Sequence, residues 1–289
     1  MQSYLWSKLG VRFTHVKANP GFPFHWLFLP GGPGMGSEYL YELTRHLRVP
    51  GNLWHLDLPG DGSNRFEGRQ KPFESWLDAL SEAIDLLSNV MLVGHSTGGM
   101  LALSSPDIED KLKGLVLISS APDRSWRVEF ENYVSRNPIR ATESLFKRYY
   151  REPSDSLLRT ITLKCIPYSF TKAGMSKDLK WLKDLPYNSA AYQWAERNFD
   201  STYSAKWKPR KIPALILSGS EDKITPLKCF SELTEYQKPY IQLTEISKAG
   251  HFPWIENLNE TCQSFMSFAE TVSENGHKPK IYKIPVISK

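Results

Sequence analysis

The sequence predicts an α/β fold, a mostly parallel sheet flanked by helices and carrying one mainly helical cap insertion. Three observations predict it. Short apolar runs bounded by Gly, Pro or Asp alternate with segments whose apolar residues recur at three- and four-residue spacing, the pattern of parallel strands joined by crossover helices. Most of the runs are continuously apolar, as strands covered on both faces must be. The rhythm breaks once, between Ala121 and Lys206.

In chain order the strand-like runs are HWLFLP (25–30), NLWHLDLP (52–59), NVMLVG (89–94), GLVLIS (114–119), PALILSG (213–219) and IQLTEIS (241–247). Between and after them EYLYELTRHL, ESWLDALSEAIDLL and WIENLNETCQSFMSFA read as amphipathic helices. From 121 to 206 no strand-like run occurs, and ESLFKRYY, KDLKWLKDL and SAAYQWAERNF are helix-compatible. That segment is expected to cover the carboxyl edge of the sheet, where open α/β folds bind ligands. The implied organisation is a core in two parts, 1–120 and 207–274, a cap at 121–206 and a basic tail at 275–289, with IYKIPVIS either loosely held or lying along an edge of the body. Pro106 is expected to truncate the helix that follows the third run.

Composition bounds the function classes. The 289 residues hold 36 Lys plus Arg against 31 Asp plus Glu, a formal charge of +5. A chain this long buries roughly three quarters of its unfolded surface and needs neither disulfide nor structural metal. Cys165, Cys229 and Cys262 are odd in number and widely spaced, which fits neither a disulfide framework nor a zinc site. No window approaches the roughly 20 consecutive apolar residues of a membrane span. The opening MQSYLWSKLGVRF does not resemble a secretory signal, so a cytoplasmic protein without a transmembrane segment is expected. The charge is unevenly placed: residues 1–120 carry 10 basic and 12 acidic side chains, 121–205 carry 14 and 10, 206–211 carry 4 and none, 212–274 carry 4 and 9, and 275–289 carry 4 and none. A basic cap, linker and tail on an acidic core argue against a general nucleic-acid binder.

The sharpest motif is NVMLVGHSTGGM, in which Gly94-His95-Ser96-Thr97-Gly98 matches G-x-S-x-G where a strand ends and a helix begins. A serine held at that sharp turn leaves no room for side chains two residues to either side, so glycine is needed at both places. The turn presents Ser96 at a helix amino end, whose dipole favours developing negative charge. The Thr97 N–H becomes one oxyanion donor. A glycine-rich turn serving only helix packing or phosphate is the competing reading, and no Lys follows the glycines as a P-loop requires. In FLPGGPGMGSEYL the glycines let backbone N–H groups approach a ligand, and the Gly32 N–H is the natural second donor if Ser96 is a nucleophile. For a base, His251 in SKAGHFPWIEN follows the last strand in a loop before a helix. His15, His25, His46 and His55 fall on strands or mid-helix, His277 falls in the tail, and His95 is expected to pack across the turn. The orienting acid should follow a strand between serine and histidine, where LILSGSEDKITP offers Asp222. Glu221 and Asp123 are rivals, and Asp222 is preferred.

The order GGPG loop, DLPGDG turn, GHSTGG elbow, GSEDKITP acid turn and AGHFPWIEN histidine loop resembles the α/β-hydrolase superfamily over nearly the whole chain outside the cap. GGPGMGSEYL with a helical cap looks most like the prolyl iminopeptidase branch. Pro30 stands where that branch usually has histidine, and GHSTGG is shared by esterases, lipase-like enzymes and carbon–carbon bond hydrolases. The resemblance implies a Ser96, Asp222, His251 triad, Gly32 and Thr97 as oxyanion donors, and hydrolysis of an ester or amide through an acyl-enzyme, with no cofactor and no metal. A small-molecule or short-peptide substrate would be chosen by the cap, whose aromatics include Trp126, Tyr149, Tyr150, Trp181, Tyr187, Tyr192, Trp194 and Tyr203. An aminopeptidase also needs carboxylates for a free amine, and Glu129, Glu131, Glu143 and Glu196 are candidates. The alternatives are a carboxylesterase or carbon–carbon bond hydrolase and, in another class, a non-catalytic ligand-binding protein on the same scaffold. Oligomeric state is not legible in the sequence.

Overall fold

The computed structural model describes residues 4–65, 72–140 and 142–275. Its centre is a sheet of eight strands: β1 (Tyr4–Trp6), β2 (Arg12–Asn19), β3 (His25–Leu29), β4 (Gly51–Asp57), β5 (Val90–His95), β6 (Leu112–Ile118), β7 (Ala214–Gly219) and β8 (Ile241–Ile246). The spatial order is β1-β2-β4-β3-β5-β6-β7-β8. β2 pairs antiparallel with both β1 and β4, and the other pairings are parallel. The six apolar runs correspond to β3 through β8, each boundary within 2 residues. β1 and β2 were not among those runs. Only the first three residues of β2 are buried, the register slips between His15 and Lys17, and His15–Asn19 are exposed or half-buried, so no continuous apolar run marks it.

The period of two in the parallel strands builds two cores. Trp26 and Phe28 of β3, Met91 and Val93 of β5 and Val116 and Ile118 of β6 join one cluster. Leu27, Leu29, Val90, Leu92, Leu115 and Leu117 join the other. Before the insertion come α1 (Tyr41–Thr44), α2 (Trp76–Asp85) and α3 (Thr97–Ser104). Helix α2 lays Trp76, Ala79, Leu80, Ala83 and Ile84 on the second core, each side chain worth about 1–3 kcal/mol of burial according to size. Pro106 does stop α3: the chain leaves it at Ser104 and restarts as a 3-10 helix over Pro106–Lys111.

Between β6 and β7 the chain forms α4 (Ser125–Arg136), α5 (Thr142–Arg151), α6 (Asp155–Lys164), α7 (Ile166–Ser169) and α8 (Ser189–Ala195). Its two ends run side by side: Asp123 bridges Ser204, Ala205 N donates to Pro122 O at 2.7 Å, and the Tyr203 hydroxyl donates to Ala121 O at 2.8 Å. After β7 follow α9 (Lys228–Ser231), α10 (Pro253–Glu256) and α11 (Leu258–Asn275), the last covering the first core with Phe265, Phe268, Ala269 and Val272.

Four expectations differ. WIENLNETCQSFMSFA, read as one helix, is broken at Asn257, whose φ −137° and ψ 72° are not helical, into α10 and α11, and three boundaries shift. EYLYELTRHL shortens to a 3-10 turn over Glu38–Leu40 followed by α1, which leaves His46 beyond the helix rather than inside it. ESWLDALSEAIDLL likewise opens with a 3-10 turn over Pro72–Ser75. Helix α11 takes in Asn275, and the rest of the tail, with His277 and IYKIPVIS, lies outside the described residues. Among the described residues no helix is long and apolar enough to cross a membrane, and no cluster of three His, Cys, Asp or Glu side chains could hold a metal.

The sheet order reverses at β3, which has β4 on one side and β5 on the other. Such a reversal opens a crevice at the carboxyl ends of the two diverging strands. In register Leu29 of β3 lies beside Gly94 of β5, so the loops leaving these strands start as neighbours.

Candidate active site

The elbow sits at that crevice. Between β5 and α3, Ser96 takes φ 51° and ψ −123°, a conformation that costs a side-chain-bearing residue about 1–3 kcal/mol. Neighbours hold it there: Ser96 N donates to Ile118 O at 2.9 Å, and the Ser120 hydroxyl donates to Ser96 O at 2.9 Å. The flanking glycines are required by space. A Cβ at Gly94 would stand 2.5 Å from Gly99 Cα, and one at Gly98 2.5 Å from Leu29 O. Gly31, from the loop after β3, comes so close that a Cβ there would lie 2.6 Å from Ser96 Cβ.

His251, in the loop after β8, places Nε2 3.1 Å from Ser96 Oγ and Nδ1 3.0 Å from Asp222 Oδ2, with Oδ1 at 3.2 Å. A carboxylate can only accept, so the ring proton belongs on Nδ1, and Nε2 is left to accept from the Ser96 hydroxyl. Burial would push the Asp222 carboxyl up. The His251 imidazole and the Ile224 and Thr225 N–H groups outweigh it and hold the carboxyl below its usual range. Thr225, buried in the same turn, sets its hydroxyl 3.4 Å from Asp222 Oδ2 and 3.3 Å from His251 Nδ1. No sequence signal singled it out.

The rival residues lie elsewhere. Asp123 accepts from Ser125 N at 2.8 Å at the foot of the insertion, and Glu221 is exposed. His15, His25 and His55 are strand residues, and burial lowers the His55 imidazole to about 3. His95 is buried against the site, its ring centroid 4.9 Å from that of His251. Burial, with the neighbouring His251, lowers it to about 3 as well.

The loop after β3 meets this row at Ser96. Gly32 has φ 114°, which favours glycine, and among the described residues neither the Gly32 nor the Thr97 N–H donates to a protein acceptor. Asp61 of the DLPGDG turn pins the loop by accepting from Gly34 N at 2.7 Å and Gly62 N at 2.8 Å through one oxygen, Oδ1. Burial and the neighbouring Asp57 raise the Asp61 carboxyl to about 7. Asp57 accepts two bonds from Ser37 and is gripped by the Arg12 guanidinium at 2.8 Å.

The inserted segment touches three of these loops. Asn188 N donates to Gly34 O at 2.7 Å, and its side chain donates to Gly60 O. His251 N donates to Ser169 O at 2.8 Å. Glu256 joins both sides: Oε1 accepts from Thr171 N at 3.0 Å and from the Thr171 hydroxyl at 2.6 Å, and Oε2 accepts from Gly250 N at 2.7 Å. Of the four carboxylates considered for an amine, Glu129 pairs with Lys228, Glu131 with Arg127 and Glu143 with Lys147. Glu196 instead accepts from the Tyr150 hydroxyl at 2.6 Å. It opens a π-helical turn, Glu196–Asp200, at whose end Asp200 keeps one buried oxygen without a partner, and burial raises that carboxyl to about 6. Asp200 was not among the candidates, and no local sequence pattern marks it.

A family model described as "Alpha/beta hydrolase family" matches residues 26–262. A Mycoplasma genitalium protein named "Putative esterase/lipase 2" is 27% identical over 233 residues, covering 76% of this chain and 80% of the relative. A Lactobacillus acidophilus protein named "Proline iminopeptidase" is 23% identical over 270 residues, covering 86% of each chain. Among solved structures, a proline iminopeptidase-related protein of Thermus thermophilus superposes with a TM-score of 0.68 at 17% identity, covering 94% of this chain and 98% of that one. At that identity the likeness is one of fold.

Proposed function

This chain belongs to the alpha/beta hydrolase family, and from that membership we propose that it is a serine hydrolase cleaving an ester or amide of a small to medium substrate through an acyl-enzyme. The observation that carries the proposal is the hydrogen-bonded row Ser96, His251, Asp222 at adjacent strand ends. His251 Nε2 takes the Ser96 proton as Oγ attacks the carbonyl carbon, and Asp222 keeps the other ring proton in place and stabilises the imidazolium. The Gly32 and Thr97 N–H groups, without an acceptor among the described residues, are assigned to the tetrahedral oxyanion. His251 then returns the proton to the leaving group and activates the water that releases the acid. The inserted helices choose the substrate.

Within that chemistry an aminopeptidase is the second reading, favoured by Glu196 and by the buried Asp200 oxygen, to which a substrate ammonium would donate the hydrogen bond it lacks among the described residues. The relatives named esterase/lipase and proline iminopeptidase support one arm each. A panel of proline-aminoacyl anilides, short-chain acyl esters and a carbon–carbon bond substrate separates the readings. Turnover of anilides alone selects the peptidase. Turnover of esters alone removes it. Failure of a fluorophosphonate probe to label Ser96 would sink the serine-hydrolase proposal and favour a binding protein.

A further inference from the structure

His95 and Tyr39 are buried polar groups that the chemistry above does not use. Both are all but sealed, at 1% and 2% exposure, inside a wall made by Phe252 and Trp254. Tyr39 lies flat on the Trp254 indole at an interplanar angle of 19°, and the His95 ring meets the same indole edge-on at 85°. An unpaired polar atom on either side chain would be costly there, about 1–3 kcal/mol. Each of those atoms has a partner.

Gly31 N lies 2.7 Å from Tyr39 Oη, Tyr39 Oη lies 2.8 Å from His95 Nδ1, and His95 Nε2 lies 3.0 Å from His251 O. The directions follow from valence. A carbonyl oxygen only accepts, so His95 carries its proton on Nε2 and donates to His251 O. A neutral ring then has a lone pair on Nδ1, which must accept from the Tyr39 hydroxyl. The Tyr39 oxygen in turn accepts from Gly31 N–H. Every donor and acceptor in the row is used once.

We infer that Tyr39 and His95 form a neutral relay of positioning residues that sets the loop bearing the Gly32 oxyanion donor and the backbone of His251 at fixed distances from the Ser96 elbow. Gly31 immediately precedes Gly32, and His95 immediately precedes Ser96. One row of bonds, none of them from the inserted helices, therefore ties nucleophile, oxyanion loop and base together. The inference rests on the serine-hydrolase reading for its kinetic consequence, not for its chemistry.

Tyr39→Phe removes one hydroxyl and breaks the row at two bonds. Because displacement of a reacting group by about 1 Å can cost on the order of 100-fold in rate, kcat is expected to fall about 10- to 100-fold, with KM within about threefold of wild type. The rate of fluorophosphonate labelling should fall in parallel. His95→Phe should cost as much. His95→Gln, whose amide reaches the Nε2 position and keeps the donor to His251 O, should recover part of the loss. Wild-type kcat in both folded phenylalanine variants, or a change confined to KM, overturns the relay. Histidine ¹⁵N spectra of the wild-type protein give a readout independent of activity and of any variant's folding. His95 should appear as the Nε2–H tautomer and not titrate between pH 5 and 8, and an Nδ1–H tautomer or a charged ring overturns the inference. If Ser96→Ala keeps full hydrolysis while the ¹⁵N result holds, the serine-hydrolase reading fails and the relay stands.

Discussion

Ser96 holds its conformation against its own backbone, at φ 51° and ψ −123°. Ser96→Ala should abolish labelling and lower kcat by about three orders of magnitude or more, with no gain in stability because alanine meets the same strain. Ser96→Gly should be equally inactive yet more stable than Ser96→Ala by about 1 kcal/mol, measured by denaturant melting. Asp222→Asn should lower kcat by about 10³–10⁴ by favouring the wrong tautomer of His251, read in single-turnover kinetics. Asp61 makes a different prediction. Its folded-state value of about 7 lies above the ordinary 3.8, so the folded chain holds a proton that the unfolded chain has released, and the contribution of Asp61 to stability falls as pH rises from about 4 to 7. Both donors to Asp61 meet one oxygen, which the amide of Asp61→Asn can reproduce. That variant should melt higher than wild type above pH 7 and lose the advantage by pH 4. Ser96, Asp222 and His251 were legible because the chemistry restricts residue type and places each at a strand end. Tyr39, Thr225 and Asp61 were not assigned roles, since theirs depend on neighbours that folding brings from elsewhere in the chain.

At the scale of elements, the strands buried on both faces announced themselves by continuous apolar runs, and the insertion announced itself by their interruption. β2 escaped because a strand near the sheet's edge is half polar, and no local pattern distinguishes that from a loop. The sequence also left open how the inserted helices sit on the core. Glu256 gives that contact a test. Its carboxylate spans Gly250, beside His251, and Thr171, in the loop after α7. Glu256→Gln keeps one carbonyl acceptor but turns an N–H donor toward the other side, so it should lower kcat severalfold, and Thr171→Val should do so less. The double variant should cost less than the two single effects combined, because both break one clamp, as a double-mutant cycle in steady-state kinetics would read.

For the whole molecule the pH balance lies between buried imidazoles and buried carboxyls. His55 and His95 are held at about 3 against an ordinary 6.5, so their stabilising contribution is complete above pH 6.5 and is lost as the pH falls toward 3, when the unfolded chain takes up protons first. Asp61 and Asp200 work in the opposite sense, over about 4 to 7 and about 4 to 6, and offset the imidazoles. Removing one of them by Asp61→Asn should therefore make the melting temperature fall more steeply between about pH 6.5 and 4 than in the wild type, as a calorimetric series would read. The overall architecture was readable from period and punctuation alone, whereas substrate choice was not, because aromatic residues of the inserted segment such as Tyr149, Tyr187 and Tyr203 pack as core and carry no pattern that would mark a lining. The side-by-side ends of that insertion carry a consequence for how such a molecule can change. A segment that leaves and re-enters between Ala121 and Ala205 through paired backbone imposes almost no constraint on the strand order beneath it. It can be exchanged for another of different length without retying the chain, provided the newcomer brings its own equivalents of Asn188 and Thr171 to dock on the loops below. If the inserted helices choose the substrate as proposed, a new specificity can be grafted by swapping one continuous stretch of gene.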